Sequence, residues 1–339
     1  SKLRSRIMAQ SLAGLITRSR NVLVMGHKNS DLDSFGASLA AARIAENLGK
    51  KVNIVIDYES LEEKTRGVVE MLRSNPDYKG LMLTISEALE KANKDTLLIS
   101  VDNHKDSLAI SRSVLDKVKN KVIIDHHRRS EEFISSPVLT YLEPSASSTV
   151  ELLVELFDYQ QHEIDISSLD ATVMYTGMLV DTNYFRQHVG TRTFQSAAKL
   201  KEAQADLTLA YELLEDSFEC MKEIFDITES AYRYKDKILI ATGKDEELSR
   251  STLAKAANQL VYVSGIYAAF AIGYISKNTV AISARSSKKI NVQMIMENDA
   301  LHGGGHFSMA ACQIENVTIE EAKERLEHAI DAYLEDRGV

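Results

Sequence analysis

The sequence is short of cysteine, proline and glycine, and each shortage argues against a class of protein. It has two cysteines, Cys220 and Cys312, and no CxxC pair, which argues against a disulfide framework and a thiolate zinc site and fits a reducing compartment. With three prolines and 15 glycines among 339 residues, long unstructured linkers are not expected. No apolar run approaches the roughly 20 residues that a bilayer-spanning helix needs, so we predict no membrane segment in this chain.

Clusters of basic residues are also missing. The net charge is −9 and no stretch is rich in lysine or arginine, so duplex nucleic acid is not an expected partner. The tyrosines are not grouped along the chain, and no aromatic platform for single-stranded nucleic acid is predicted. No signal peptide is visible, and the chain opens without an initiator methionine, so we expect it to be a piece of a longer protein.

Four short apolar runs in the first half predict the strands of a parallel sheet. They are continuously apolar and rich in β-branched residues, as strands buried on both faces are. Helical patterns lie between them, for example over residues 35–47 and 85–92. The alternation predicts an α/β fold with an open, doubly wound sheet. The four runs are residues 21–25, 52–56, 96–101 and 121–124.

Helices follow this first set of strands. Ser148 and Glu151 have the spacing of a capping box before the helical pattern of TVELLVELF. Residues 169–180 are apolar nearly all round, as in a buried helix, and further helices are predicted over 193–205 and 207–227.

From about Tyr232 the pattern changes to that of a second, smaller α+β unit. Strands are predicted at 237–241, 266–274 and 279–284, with a helix at 253–260. Thr318 and Glu321 have the spacing that caps a final helix. We therefore predict a first domain over residues 1–205, a helical linker over 206–231 and a second domain over 232–339.

Clusters of aspartate and histidine follow the apolar segments. Ligands of open α/β sheets bind outside the carboxyl ends of the strands, so clusters that follow strands should converge at one edge. The clusters contain His27, Asp31 and Asp33 after the first predicted strand, Asp102 and His104 after the third, Asp125, His126 and His127 after the fourth, and Asp181 at the end of the buried helix.

This concentration of carboxylates and imidazoles predicts a metal centre. Carboxylates that are brought together repel one another, and divalent cations relieve the repulsion. Mixed imidazole and carboxylate ligands suit Mn²⁺, Fe²⁺, Zn²⁺ or Co²⁺, and two ions about 3.5–4 Å apart can drive in-line attack on phosphorus. Taken singly, each aspartate is more typical of a helix cap or turn, and the acidic net charge is equally typical of a solvated surface. The joint placement favours the metal site.

In the second predicted domain, three glycines stand before His306. Consecutive glycines let the backbone approach a ligand and aim its N–H groups at a phosphate. On the glycines alone, a plain flexible loop is the simpler interpretation. His306 and Arg285, which ends a predicted strand, favour phosphate binding, although a surface position for Arg285 stays open.

The ordered motifs HKNSDLDSFG, VDNH, DHH, GMLVDT, ISARS and GGGH resemble the DHH phosphoesterase superfamily with its DHH-associated C-terminal domain, over nearly the whole chain. The stretches VIIDHHRRSEEFI, YLEPSASSTVELLVEL and VDTNYFRQHVGTRTF look closest to the catalytic part of membrane-anchored cyclic-di-AMP phosphodiesterases of the GdpP type. The resemblance implies hydrolysis of cyclic-di-AMP to linear 5′-pApA by a hydroxide held between two manganese ions, with iron, cobalt or magnesium as alternatives.

The same resemblance implies a role for each matching residue. One manganese would be held by His27, Asp31 and Asp102, and the other by Asp33, Asp102, His126 and Asp181, with Asp102 as the bridge. His127 and His104 would bind the phosphate or assist proton transfer. The implied substrate-binding residues are Arg285, Asn291, Gly303, Gly304, Gly305 and His306, with Arg192 as a further candidate.

The resemblance also implies a homodimer, a cytoplasmic location for this part of the chain and a full-length protein anchored in the cell membrane. Three other functions stay open. An oligoribonuclease and phosphoadenosine-phosphate phosphatase of the nanoRNase type shares the superfamily motifs. An inorganic pyrophosphatase uses a similar ligand set, although the GGGH motif favours a nucleotide. A nucleotide-binding sensor without catalysis is disfavoured, since every predicted ligand is present.

Overall fold

A computed structural model of the chain describes residues 2–287 and 289–337, and it divides into two compact units at residues 1–215 and 216–339. Residues 1, 338 and 339, which end the predicted domains, lie outside the described residues. Among the residues it does describe, no helix is both long and apolar enough to cross a bilayer.

The first unit is the predicted α/β domain, and its sheet has six strands, two more than the four predicted. Its strands are β1 (Asn21–Met25), β2 (Val52–Val55), β3 (Met82–Leu83), β4 (Thr96–Val101), β5 (Asn120–Asp125) and β6 (Leu139–Leu142). Its helices are α1 (Lys2–Arg18), α2 (Leu32–Asn47), α3 (Glu63–Arg73), α4 (Ile85–Lys91), α5 (Arg112–Lys117), α6 (Thr149–Phe157), α7 (Ser168–Asp181), α8 (Thr191–Glu202) and α9 (Leu207–Glu212), with 3₁₀ turns at Tyr58–Ser60 and Pro76–Tyr78.

All pairings in this sheet are parallel, and the strand order is β3-β2-β1-β4-β5-β6. Alternate residues of the central strands pack on opposite faces: Val22 and Val24 lie in the core with α2, α6 and α7, whereas Leu23 and Met25 pack with α4 and α5. Full burial of such side chains stabilises the fold by about 1.5–3 kcal/mol each. Helices on both faces therefore account for the continuously apolar strands.

Helices α2 and α7 approach closely at Gly177. A Cβ added there would lie 2.7 Å from the carbonyl oxygen of Leu32 and 3.0 Å from the Cα of Asp33. Only glycine permits this approach, because a real Cβ would overlap the backbone of α2. The contact brings Asp33, in the first turn of α2, near the end of α7 at Asp181.

Two helix predictions need correction. The Ser148 hydroxyl accepts a hydrogen bond from the Glu151 amide at 3.0 Å, but the Glu151 carboxylate accepts from the Ser147 amide and the Thr193 hydroxyl, so the reciprocal capping box is not formed. The helix predicted over 207–227 is two helices, because Ser217 caps a new one, α10 (Phe218–Glu229), by accepting from the Cys220 amide at 3.1 Å. The boundary between the units falls in this break.

The second unit is the predicted α+β domain. Its strands are β7 (Tyr232–Tyr234), β8 (Ile238–Glu247), β9 (Ala268–Ser276), β10 (Thr279–Ser286), β11 (Gly304–Gly305) and β12 (Met309–Glu315), and its further helices are α11 (Arg250–Val261), α12 (Val292–Met296) and α13 (Ile319–Glu335). The sheet has the order β11-β12-β10-β9-β8-β7, antiparallel except where α11 connects the parallel pair β8 and β9. Thr318 and Glu321 form the predicted capping box of α13.

Candidate metal centre

The carboxyl ends of β1, β4 and β5 are neighbours in the first sheet, and their loops meet at one edge. The first group of potential ligands there is His27, Asp31 and Asp102, whose ligand atoms lie within 4.8 Å of one another. The Nε2 atom of His27 is 3.3 Å from Asp102 Oδ2 and 3.8 Å from Asp31 Oδ2. Asp31 also caps α2, because its Oδ1 accepts from the Ser34 amide at 2.9 Å.

A second group combines Asp33, His126 and Asp181, again within 4.8 Å. The Nε2 atom of His126 is 2.9 Å from Asp181 Oδ2, 4.0 Å from Asp33 Oδ2 and 3.6 Å from Asp102 Oδ1. Asp102 is therefore a member of the first group, in which it lies beside His27, and it also lies close to His126 of the second group. All six residues predicted as metal ligands surround one spot, and Asp102 lies between the two groups.

Asp102 is held in an uncommon backbone conformation. Its φ of 57° is in the left-handed region, which Asp and Asn tolerate better than most residues. Its amide donates to the Ile124 carbonyl at 2.9 Å, and its Oδ1 accepts from the Thr149 hydroxyl at 2.8 Å. Backbone strain and a dedicated hydrogen bond thus direct this carboxylate into the site.

The amino terminus of α6 orients a second carboxylate. The amides of Thr149 and Val150 donate to the two oxygens of Asp33 at 2.8 and 2.9 Å, which is favourable because the positive end of a helix dipole faces an anion. Thr149 therefore holds Asp33 by its backbone and Asp102 by its side chain. Sequence reasoning missed this residue, and only its position at the start of a capped helix could have suggested it.

His27 and His126 both direct Nε2 towards Asp102. The Nδ1 atom of His27 is 2.7 Å from the Lys28 carbonyl, and Nδ1 of His126 is 3.3 Å from the Ala146 carbonyl. A carbonyl accepts only, so Nδ1 carries a proton, and Nε2 is the nitrogen left to bind a cation, which would displace any proton there. Among the described residues, buried His126 Nε2 has no hydrogen bond of acceptable geometry, as expected of an atom placed for a cation.

The electrostatics of the cluster also fit cations. Burial, together with the charges of Asp181 and Asp102, raises the pKa of Asp33 well above its usual value. Burial and the charges of neighbouring carboxylates also raise the pKa of Asp181 well above its usual value. Burial alone would lower the pKa of His27, but its contacts with Asp102 and Asp31 raise it to about 12. These carboxylates share one small volume at an energetic cost that divalent cations would remove.

Comparison with known proteins identifies the family. The sequence matches the DHH family, N-terminal domain, over residues 21–178 and the DHHA1 domain over residues 235–336. The chain belongs to the DHH family. It is 40% identical over 334 residues to cyclic-di-AMP phosphodiesterase PdeA of Listeria monocytogenes, and 38% identical over 338 residues to cyclic-di-AMP phosphodiesterase GdpP of Bacillus subtilis.

These alignments cover 98% and 99% of this DHH-family chain but 50% and 51% of the two relatives, so the chain spans about half the length of the curated relatives it matches. Among solved structures, an exopolyphosphatase-related protein from Bacteroides fragilis has the same fold, with a TM-score of 0.81 over 96% of both chains at 19% identity.

The aspartate of the DHH motif, Asp125, connects two of the predicted histidines. Its Oδ1 is 2.7 Å from His127 Nδ1, and its Oδ2 is 2.5 Å from His104 Nδ1. The Ser130 amide donates to the other nitrogen of His104 at 3.2 Å. Both ring nitrogens of His104 are thereby engaged within the protein, whereas His127 Nδ1 also lies 3.5 Å from Asp102 Oδ1. The geometry places His127 at the candidate metal centre and His104 behind Asp125.

In the DHHA1 domain, Arg285 is partly buried at the end of β10. Its Nη1 donates to the Ala284 carbonyl at 2.8 Å, and within residues 2–287 and 289–337 no carboxylate pairs with it. Burial lowers its pKa to about 10. A desolvated guanidinium without an acidic partner is suited to an anionic ligand. Asn291 caps α12 by accepting from the Met294 amide at 3.3 Å.

The glycines of the GGGH motif have a structural role that the flexible-loop interpretation did not include. A Cβ on Gly303 would overlap the Ala311 carbonyl, and one on Gly305, whose φ is 148°, would overlap Met309. Both glycines are needed to pack β11 on β12. Gly304 faces open space, and the His306 amide donates to the Met309 carbonyl at 2.6 Å.

Two further observations concern the first unit. The guanidinium of Arg192 binds Glu155 of α6, with Nε donating to Oε2 at 2.7 Å, rather than any predicted metal ligand. The tyrosines are spread along the chain, but the fold brings five aromatic residues together from three helices and a turn, one before and four after Asp181: Tyr175, Tyr184, Phe185, Phe194 and Tyr211.

Proposed function

We propose that this chain hydrolyses cyclic-di-AMP to linear 5′-pApA with two divalent cations, manganese being the first choice. The observation that carries the proposal is the sharing of Asp102 between two groups of imidazole and carboxylate ligands at one edge of the sheet. The substrate is proposed from the similarity to curated cyclic-di-AMP phosphodiesterases over nearly the whole chain.

The proposed division of the ligands follows the two groups. His27, Asp31 and Asp102 hold one cation, and Asp33, Asp102, His126 and Asp181 hold the other. When bound, two such cations supply Lewis acidity and a water molecule of lowered pKa for in-line attack on phosphorus. Thr149 keeps the carboxylates of Asp33 and Asp102 oriented, so that the cations meet a prepared site.

His127 is assigned to the phosphate. Burial alone would lower its pKa, but the hydrogen bond to Asp125 and the charge of Asp102 raise it to about 9 in the metal-free protein. When it carries a proton, the imidazole would attract a phosphate oxygen and could supply that proton to the departing 3′-oxygen. Asp125 orients the ring, and His104 in turn holds Asp125, so we assign His104 a positioning role.

Residues of the DHHA1 domain are proposed to bind the nucleotide. Arg285 is the strongest of them, because its buried charge lacks an acidic partner among the described residues. Asn291, Gly303, Gly304, Gly305 and His306 are proposed on the motif match. Arg192 is the weakest candidate, since its guanidinium is already bound by Glu155.

Product analysis tests the proposal. The purified chain is incubated in the presence of Mn²⁺ with one candidate substrate per reaction, and the products are separated by chromatography. The candidate substrates are cyclic-di-AMP, cyclic-di-GMP, pApA, pAp and pyrophosphate. The expected result is conversion of cyclic-di-AMP to pApA that chelation by EDTA abolishes and Mn²⁺ restores. Intact cyclic-di-AMP together with rapid cleavage of pApA or pAp would replace the proposal with a nanoRNase-type activity. Cleavage of pyrophosphate alone would indicate a pyrophosphatase.

A homodimer, a cytoplasmic location for this part and membrane anchoring of the full-length protein remain predictions from the resemblance. Sedimentation of the purified chain at several concentrations tests the first. Fractionation of cells that express the full-length protein tests the other two.

A further inference from the structure

An aromatic surface adjoins the candidate metal centre within the first unit. The rings of Tyr184 and Tyr211 stack with centroids 6.0 Å apart and planes 13° from parallel. Phe185 stacks on Phe194 at 5.6 Å and contacts Tyr175 at 5.9 Å. The members come from α7, α8, α9 and the turn after α7, so the cluster forms only in the folded chain.

Three of these rings remain open to solvent. Tyr184 and Tyr211 are each 45% exposed, and Phe194 is 54% exposed. Val180 and Val189, at 37% each, extend the apolar surface on either side of the turn. Grouped exposure of large apolar side chains is uncommon on a soluble surface and is typical of a binding site.

The turn that carries Tyr184 has an unusual and well-supported backbone. Asn183, Tyr184 and Phe185 have φ values of 47°, 57° and 62°, three consecutive non-glycine residues in the left-handed region. The Tyr184 amide donates to the Leu179 carbonyl at 2.8 Å, and the Phe185 amide to the Thr182 hydroxyl at 2.9 Å. The fold keeps a strained turn that presents aromatic rings, which is typical of a functional segment.

The turn follows directly on a predicted metal ligand. Asp181 ends α7, and Tyr184 is three residues further on, so their Cα atoms lie within roughly 11 Å, the longest span of three residues. The Thr182 hydroxyl donates to the Met178 carbonyl at 2.6 Å, which ties the turn to the last turn of α7. A nucleotide whose phosphate is at the metal centre would therefore have its base within reach of these rings.

We propose that Tyr184, supported by Tyr211, stacks with a purine base of the nucleotide whose phosphate is cleaved at the metal centre. This proposal rests on the proposed function and adds a base-binding site in the DHH domain. A flat pair of rings suits a flat base better than it suits an aliphatic peptide side chain. Stacking is compatible with both the cyclic substrate and the linear product, since it uses only the face of the base.

Steady-state kinetics test the proposal. Tyr184→Ala removes the ring and is expected to raise KM for cyclic-di-AMP by about 5- to 140-fold, with kcat and the Kd for Mn²⁺ changed less than about two-fold. Tyr184→Phe keeps the ring and is expected to retain the parental KM. Phe218→Ala, which removes a ring that is 69% exposed on α10, is the matched control and is expected to have no effect.

A binding measurement separates this proposal from the proposed function. The chain contains no tryptophan, so Tyr184→Trp introduces a single reporter. Titration with AMP is expected to quench its emission saturably, and ribose 5-phosphate, which lacks the base, is expected not to. Failure of the parental chain to cleave cyclic-di-AMP refutes the proposed function but leaves this titration decisive. Unaltered emission with AMP, an unchanged KM for Tyr184→Ala, or loss of Mn²⁺ binding in Tyr184→Ala would each overturn the base-binding role.

Discussion

Replacement of Asp102 by asparagine is the sharpest perturbation of the candidate centre. Asp102 is 3% exposed, lies 3.3 Å from His27 Nε2 and 3.6 Å from His126 Nε2, and is the residue common to both proposed ligand sets. Asparagine keeps the shape, tolerates the left-handed backbone and can still accept from the Thr149 hydroxyl. The substitution therefore removes one charge and one ligand oxygen while it leaves the support in place.

The expected loss of Mn²⁺ affinity in Asp102→Asn can be estimated from these contacts. Loss of a partner that only orients a ligand costs about 10- to 100-fold in metal affinity. Loss of a ligand shared by two cations must exceed that range, so we expect Mn²⁺ binding to weaken by more than about 100-fold, or ~2.8 kcal/mol. The attraction between one unit negative charge and a divalent cation about 4 Å away is about 8 kcal/mol at an effective dielectric constant of 20, so removal of the charge is large enough to account for this loss.

Isothermal titration of the metal-free protein with Mn²⁺ measures both affinity and stoichiometry. The parental chain is expected to bind two ions, and Asp102→Asn is expected to lose at least one of them along with its catalytic activity. Asp116→Asn, on the exposed face of α5, provides the matched control. Parental affinity and two bound ions in Asp102→Asn would refute the shared-ligand assignment.

Three more predictions concern support, substrate and pH. Thr149→Val removes the hydroxyl that donates to Asp102 and is expected to weaken Mn²⁺ binding by about 10- to 100-fold. Thr149→Ser keeps a hydroxyl and is expected to retain the parental Mn²⁺ affinity. Equal Mn²⁺ affinities of the two variants in calorimetric titrations would count against this role of Thr149. Arg285→Ala raises KM by about 10- to 150-fold with Mn²⁺ binding intact, and an unchanged KM would argue against a phosphate contact. Without metal, the melting temperature falls as pH rises from 6.5 to 9. The pKa values of His27 and His127, raised to about 12 and about 9 in the folded state, exceed the unfolded value of 6.5. Their stabilising contribution is complete below pH 6.5 and is lost as pH rises through the folded values; a melting temperature that rises over this window would contradict the assignment.

The central strands were predictable because their environment leaves a clear pattern. A strand covered by helices on both faces is apolar at nearly every position, and the runs at 21–25 and 96–101 match β1 and β4 residue for residue. The edge strand β6 is only half-buried and β3 has two residues, so neither has an apolar run to reveal it. Strand β12 alternates between buried and exposed positions and was also missed.

The convergence of the Asp and His clusters followed from topology. Parallel strands deliver the residues after their carboxyl ends to one edge, and β1, β4 and β5 are adjacent. The support for those ligands was not predictable in the same way. Thr149 meets Asp33 across 116 positions of sequence, and no local pattern reports such a tertiary contact. The same holds for His104, whose partner Asp125 is 21 positions away.

The aromatic cluster was not predictable from the positions of its members along the chain. Its members are spread between residues 175 and 211 and meet only because α7, α8 and α9 pack together. Tyr184 and Phe185 adopt a left-handed conformation that their residue types disfavour, so propensity argues against the turn that presents them. Local hydrogen bonds, from the Phe185 amide to the Thr182 hydroxyl and from the Tyr184 amide to the Leu179 carbonyl, stabilise the turn.

Diffraction from crystals grown with Mn²⁺, recorded at the manganese absorption edge, tests the two-cation site most directly. Two anomalous peaks are expected on either side of Asp102, one within ligand distance of His27 and Asp31 and the other within ligand distance of Asp33, His126 and Asp181. A single peak that Asp102 does not contact, or peaks only at other sites on the chain, would contradict the shared site on which the proposed phosphodiesterase activity depends.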